Sequence, residues 1–152
     1  IMPGQSIRKR TVAHKFRPIE IEVKNKNVLL VDDSIVRGNT SKKIIEMVRK
    51  NGAKNVYFAS AAPPVRYQNV YGIDMPATKE LIAHGKTVDE IKNFMGADEL
   101  IYQDIEDLRM AAHIGNPKIT SFEDSVFTGE YKAGKISEEY LKNLENKRPS
   151  SE

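Results

Sequence analysis

Two adjacent carboxylates, one glycine and three hydroxyl side chains fall within ten residues: Asp32-Asp33-Ser34-Ile35-Val36-Arg37-Gly38-Asn39-Thr40-Ser41. They stand between an apolar run and a helical stretch. Gly38 opens backbone conformations closed to other residues, so the N–H groups of the turn can converge on an anion. The following helix adds unsatisfied N–H groups and the positive end of its dipole, and Thr40 and Ser41 add hydroxyl donors. Together these make a phosphate cradle. Asp32 and Asp33 would repel a phosphate placed on them. One step away they suit sugar hydroxyls, or a hard cation held through its waters. A sugar phosphate with its phosphate in the loop and its diol on the acids satisfies both halves. An isolated Asp-Asp would merely end a strand and cap a turn. Here strand, acids, glycine, hydroxyls and helix follow one another, which points to a ligand. Neither the GxxxxGK[ST] spacing of a P-loop nor a GxGxxG occurs.

The elements that must position this turn are legible around it. Val28-Leu29-Leu30-Val31 is a continuous β-prone run, as expected of a strand buried on both faces. A helix follows with Ile44, Ile45, Met47 and Val48 on one side and Lys42, Lys43, Glu46, Arg49 and Lys50 on the other, and Gly52 stands where its cap belongs. Val56-Tyr57-Phe58-Ala59 is a second strand, linked by a right-handed βαβ crossover and stopped by Pro63 and Pro64. Residues 67–75 read as irregular, and a short helix is expected over 78–83. Thr87 and Glu90 form a capping box for a helix of about two turns closed by Gly96. Residues 100–102 are a third strand. Asp104 caps a helix carrying Ile105, Leu108, Met110 and Ala112, which Gly115 and Pro117 end. Beyond Phe127 the chain is polar, with one weak helix over 138–144 and a frayed tail. Ligands of open parallel sheets bind outside the carboxyl ends of the strands, which is where the diacid turn falls. The class is α/β, a mainly parallel sheet flanked by helices. Three strands are few for such a sheet, so the chain is expected to begin inside a domain.

Composition narrows the function. The 152 residues contain no Cys, which excludes disulfides, thiolate metal sites, iron–sulfur ligation and a cysteine nucleophile within them. No apolar stretch approaches the roughly 18 residues of a membrane span, and no leader opens the chain; a soluble cytoplasmic protein is expected. The net charge of +3 is too small to argue for nucleic acid. It is unevenly spread: residues 1–26 carry seven cations (Arg8, Lys9, Arg10, Lys15, Arg17, Lys24 and Lys26) against Glu20 and Glu22, while the rest carries 17 against 19. With Gly4, Ser6 and Pro18 interspersed, this front segment reads as a mobile basic loop, either a solvated arm or one that meets a polyanion. His14, His84 and His113 lack metal-ligand spacing and read as local structural residues. Tyr67, Tyr71, Tyr102 and Phe127 read as core or rim. Arg66 is either a group at the mouth of the site or a solvated loop cation.

The stretch VLLVDDSIVRGNTS resembles the phosphoribosyl pyrophosphate (PRPP) signature of type I phosphoribosyltransferases. Its form DDSIVRGNTS resembles the glutamine PRPP amidotransferase family, which carries out the first committed step of de novo purine synthesis. IMPGQSIRKR resembles that family's flexible catalytic loop, and FASAAPP, YGIDMP, ELIAHG and FEDSVFTGEY match later segments, up to about Tyr131. The resemblance implies an incomplete type I phosphoribosyltransferase fold. Residues 1–26 would be the basic catalytic loop and lead-in, 27–131 the C-terminal half of the transferase domain, and 132–152 a polar tail with a weak helix. The family's glutaminase domain, with its N-terminal Cys nucleophile, would be absent.

By the same resemblance Asp32 and Asp33 would bind the ribose hydroxyls and Mg2+, while Ser34, Val36, Arg37, Gly38, Asn39, Thr40 and Ser41 would hold the 5′-phosphate. The front segment, with Arg8, Arg10 and Lys15 as catalytic cations, would close over pyrophosphate and help form an ammonia channel. Ammonia would attack the anomeric carbon of PRPP to give phosphoribosylamine. Feedback inhibition by purine nucleotides, a homotetramer, no iron–sulfur cluster, and no nucleic-acid or membrane partner are implied, and this segment alone is not expected to turn over. Two alternatives stay open: a PRPP-sensing or nucleotide-binding regulator, and a phosphoribosyltransferase that takes a free base.

Overall fold

The apolar run that reads as a buried strand is the first strand of a parallel sheet in the computed structural model, which describes residues 20–132 and 134–146. The elements in order are α1 (Glu20–Val23), β1 (Asn27–Asp32), α2 (Asn39–Lys50), β2 (Asn55–Ser60), a 3-10 turn (Thr78–Glu80), α3 (Val88–Met95), β3 (Glu99–Tyr102), α4 (Ile105–Ile114), α5 (Ser125–Thr128) and α6 (Glu138–Asn146). The sheet order is β1-β2-β3, parallel throughout. Its fold class is therefore the one expected from alternating strands and helices.

Register decides which side chains meet. Leu30, Phe58 and Leu100 form one cross-strand row, and Asp32, Ser60 and Tyr102 form the next, at the carboxyl ends. Under the first row lies the core: Val56 and Phe58 pack with Ile45 and Val48 of α2 and Ile91 and Met95 of α3, each nearly or wholly excluded from solvent. Burying a side chain of this size contributes about 1.5–3 kcal/mol, so this cluster is what fixes α2 against the sheet and places its N-terminus at the end of β1.

The opposite face differs from the expectation of strands buried on both sides. Leu29 and Ile101 are 55% exposed and Val31 is 70% exposed, beside half-buried Tyr57 and Ala59. Parallel sheets ordinarily carry helices on both faces. Among the described residues α2 and α3 cover only one.

Other departures have local causes. The end of the basic segment is not loop: α1 turns Val23 into the core, and Lys24 and Lys26 pair with Glu20 and Glu22 one helical turn earlier. Instead of a helix over 78–83 there is a single 3-10 turn. Leu81 is extended, and the Ile82 N–H donates to the Val36 carbonyl 46 residues earlier in the chain rather than to its own turn. A short α5, not expected, places buried Asp124 against Arg109. The Thr87–Glu90 capping box and the Asp104 cap form as read. At the far corner, Arg49 of α2 donates to the Gly96 carbonyl and to Asp98, whose carboxylate also accepts the Val56 N–H at 2.6 Å. That backbone bond, with the Arg49 contact assisting, holds the Asp98 carboxyl below the usual aspartate range.

Candidate functional site

β1 ends at Asp32, and the turn begins with short-range bonds. The Asp33 N–H donates to Asp32 Oδ1 at 3.0 Å, and Ser34 Oγ donates to Asp33 Oδ1 at 2.9 Å. Ile35 drops into the interior at 1% exposure and anchors the middle of the loop. Val36 accepts from the Ile82 N–H at 2.8 Å, and Arg37 Nε donates to Glu80 Oε2 at 2.8 Å. Gly38 takes φ 70°, ψ −9°, the left-handed conformation in which a side chain is strained, and it is the N-cap of α2. Space demands glycine too: a Cβ there would lie 2.4 Å from Ile82 Cδ1.

The first intrahelical bond of α2 runs from Lys42 N–H to the Gly38 carbonyl, so the N–H groups of Asn39, Thr40 and Ser41 precede the helical ladder, and no side chain caps them. A cavity of about 330 Å3 opens over them, lined by Asp32, Ser34 and residues 36–41. Of the nine expected substrate-binding residues, eight therefore share one cavity. Asp33 does not line it; the carboxylate is exposed at the rim and bonded to Ser34. Beside Gly38 lies the Phe94 ring, with Lys42 Nζ 4.7 Å and Lys86 Nζ 5.9 Å from its centre. Arg8, Arg10 and Lys15 lie outside the described residues, as does His14.

Among the described residues no cluster of three or more His, Cys, Asp or Glu could cage a metal. Two adjacent carboxylates fit Mg2+ all the same, because that ion keeps several waters and takes one or two carboxylates plus substrate oxygens. Asp32 and Asp33 would hold it.

The remaining candidates play structural parts. Arg66 does not line the cavity and is half-buried: its Nη1 donates to the Ala83 and Lys86 carbonyls at 2.6 and 3.0 Å, tying two loops together. His84 Nδ1 meets the Arg66 carbonyl, and His113 Nδ1 meets that of Ile119. Tyr67 and Tyr71 lie at the rim, while the Tyr102 hydroxyl is buried without a partner among the described residues, and burial pushes it up to about 12. A larger cavity of about 590 Å3 lies away from the turn, beside α4. Its charged groups answer one another: Arg109 bonds Asp124 through Nε and Nη2 and also pairs with Glu106, and the Asp124 bond raises the guanidinium's pKa further. Sequence reasoning missed Glu80 and Ile82, which touch the candidate loop from more than 40 residues away.

No family model matches the chain. Amidophosphoribosyltransferases do: the Haemophilus influenzae protein is 57% identical over 97% of this chain, the Escherichia coli protein 55% over 97%, and the Saccharomyces cerevisiae protein 50% over 99%. The chain spans 29% of the length of each. A solved structure described as the allosteric regulatory enzyme of purine biosynthesis superposes with a TM-score of 0.72 at 33% identity, over 95% of this chain and 31% of that one. The Bacillus subtilis glutamine PRPP amidotransferase complexed with ADP and GMP gives 0.68 at 35%, over 86% and 29%. In its sequence and its parallel sheet the chain is therefore similar, over nearly its whole length, to a segment of the amidophosphoribosyltransferases, their C-terminal, phosphoribosyltransferase part.

Proposed function

We propose that this chain supplies the sugar-phosphate half of an amidophosphoribosyltransferase site, in which PRPP and ammonia from glutamine yield 5-phosphoribosylamine and pyrophosphate. The observation that carries the reading is the cavity at the carboxyl end of β1, where the uncapped N-terminus of α2 and the Asp32 carboxylate face one space. The 5′-phosphate sits on the N–H groups of residues 39–41 and the Thr40 hydroxyl, stabilised by the helix dipole. Asp32 accepts from the ribose diol, which orients the sugar so that its anomeric carbon faces away from the phosphate loop. Arg37 adds a fixed cation at the edge.

In the reaction the anomeric C–O bond breaks, pyrophosphate leaves with the electron pair, and the ammonia lone pair forms the C–N bond as a proton is lost. Asp32 and Asp33 would hold Mg2+, which would supply charge neutralisation for the leaving group. The basic residues of the front segment, Arg8, Arg10 and Lys15, complete the binding of pyrophosphate and exclude water from the activated sugar. A cytoplasmic homo-oligomer inhibited by purine nucleotides is part of the same reading; the ADP and GMP bound to the Bacillus subtilis enzyme support its nucleotide part alone.

The test is PRPP consumption with ammonia by the complete polypeptide that carries this segment. Asp32→Asn combined with Asp33→Asn should abolish it while leaving glutamine hydrolysis measurable. Normal PRPP turnover in the double variant would remove Asp32 and Asp33 from the site.

A further inference from the structure

Residues 80–82 touch the candidate phosphate loop at three successive positions. Glu80 Oε2 accepts from Arg37 Nε at 2.8 Å, the Ile82 N–H donates to the Val36 carbonyl at 2.8 Å, and Ile82 Cδ1 lies 2.4 Å from where a Cβ on Gly38 would be. The contacts engage a side chain, a peptide and a backbone surface, in that order. We propose that this stretch is a clamp that sets the phosphate loop in its anion-receiving shape before ligand arrives, with Glu80 as a positioning residue acting through Arg37. The proposal rests on the assignment of residues 34–41 to a sugar phosphate.

The physical case starts from the peptide between Val36 and Arg37. In a trans peptide the carbonyl oxygen and the next N–H point in opposite directions. With the Val36 carbonyl taken by Ile82, the Arg37 N–H is turned to the other side of the chain, where it can join the N–H groups at the start of α2. A loop free to flip that peptide would present a carbonyl to the phosphate instead.

The side chain of Arg37 faces a parallel choice. Asp32 and Asp33 are five and four residues away and would compete for a loose guanidinium, neutralising the cation meant for phosphate and the carboxylates meant for the diol. Glu80 removes that competition. Its side chain is only 19% exposed, so it sits in a fixed place rather than sampling solvent, whereas Arg37 is 44% exposed and reachable by a ligand. An Arg fork bonded through Nε is also restricted in the directions its other N–H groups can take. Ile82 fills the space beneath Gly38 and blocks the loop from sinking toward the core.

The experiment titrates ribose 5-phosphate into this chain and follows the amide resonances of residues 38–41. In the wild type these should shift and saturate. Glu80→Gln keeps shape and removes charge, and should raise the dissociation constant about fivefold with core amides such as that of Val56 unmoved. In an Arg37→Gln background the same change should add nothing, because a residue acting through Arg37 has no further effect once Arg37 is gone. If the neutral variant does not fold, Glu80→Asp carries the test, since a shortened side chain loosens Arg37 without removing the charge.

If the loop amides of the wild type do not respond, the sugar-phosphate assignment itself fails. If they respond and the Glu80 variant binds as tightly as wild type, the clamp is overturned and the site stands. Equal weakening in both Arg37 backgrounds also overturns it, because Glu80 then acts on the fold and not on Arg37.

Discussion

Gly38→Ala perturbs the loop at its most constrained point, and its cost can be worked from two separable terms. The first is conformational: at φ 70° a side chain is in the left-handed region, which costs about 1–2 kcal/mol. The second is steric: the new Cβ would meet Ile82 Cδ1 at 2.4 Å, and Ile82 is only 4% exposed, so its end must move within packed core. Overpacking of that kind costs about 1–3 kcal/mol, giving about 2–5 kcal/mol in all. Gly85 isolates the first term, with φ 68° and nothing within 4 Å of its Cβ position, so Gly85→Ala should cost only about 1–2 kcal/mol. Urea unfolding followed by circular dichroism reads both as midpoint shifts. Ile82→Val removes Cδ1 and by itself costs about 0.5–1.5 kcal/mol; combined with Gly38→Ala it should cost less than the sum of the two by about 1 kcal/mol or more. Equal losses in the two alanine variants, together with additivity in the double variant, would refute the steric argument and with it the packing of Ile82 against the loop.

Two further outcomes follow from the rest of the molecule. Asp98 is held below the usual aspartate range by the Val56 N–H and then by Arg49. Its contribution to stability is therefore full above the unfolded pKa, about 4, and lost as pH falls through the lowered folded value. Asp98→Asn should flatten the acid limb of stability against pH, measured by thermal unfolding; an unchanged limb contradicts the assignment. The bare sheet face should make the chain bind an apolar dye and self-associate. Replacing Leu29, Val31 and Ile101 with Thr should reduce both, seen by dye fluorescence and sedimentation, at about 0.5 kcal/mol or less per site; undiminished association would place the sticky surface elsewhere.

What could be read in advance was whatever a short window contains. The β1 run, the capping box at Thr87, the Asp104 cap and the turn chemistry around Gly38 are each set by residues within a few positions of one another, and each forms. The readings that failed needed partners distant in the chain. Residues 78–83 look helical until Glu80 is drawn to Arg37 and the Ile82 N–H to Val36, which leaves one 3-10 turn. Arg66 could not be placed because its acceptors are the Ala83 and Lys86 carbonyls, backbone atoms that no sequence pattern marks. The exposed face of the sheet was misjudged for a different reason: a continuous apolar strand reports that both faces suit burial, not what covers them.

The unsatisfied start of α2, already read as a phosphate cradle, stands out further when set beside the other helices. Among the described residues, helices of eight or more residues number four, and three of them begin with a side-chain cap: Thr87 on α3, Asp104 on α4 and Ser137 on α6, the last through the Tyr140 N–H. Only α2 begins at a glycine with no side-chain cap. At φ 70° and against Ile82, Gly38 does not accommodate the usual Ser, Thr or Asp cap, whose side-chain oxygen would satisfy the orphan N–H groups internally, ordinarily stabilising by about 1 kcal/mol. The same oxygen would occupy the place a phosphate oxygen needs. Where a chain follows the capping rule three times and breaks it once, at a helix end facing a cavity that Asp32 also lines, the exception is the feature that points to a ligand. Gly38→Ser should therefore damage both folding and anion binding: its Cβ carries the same left-handed strain and the same contact with Ile82 as that of alanine, and its hydroxyl would compete with an anion for the orphan N–H groups, so ribose 5-phosphate should bind more weakly to it than to Gly38→Ala.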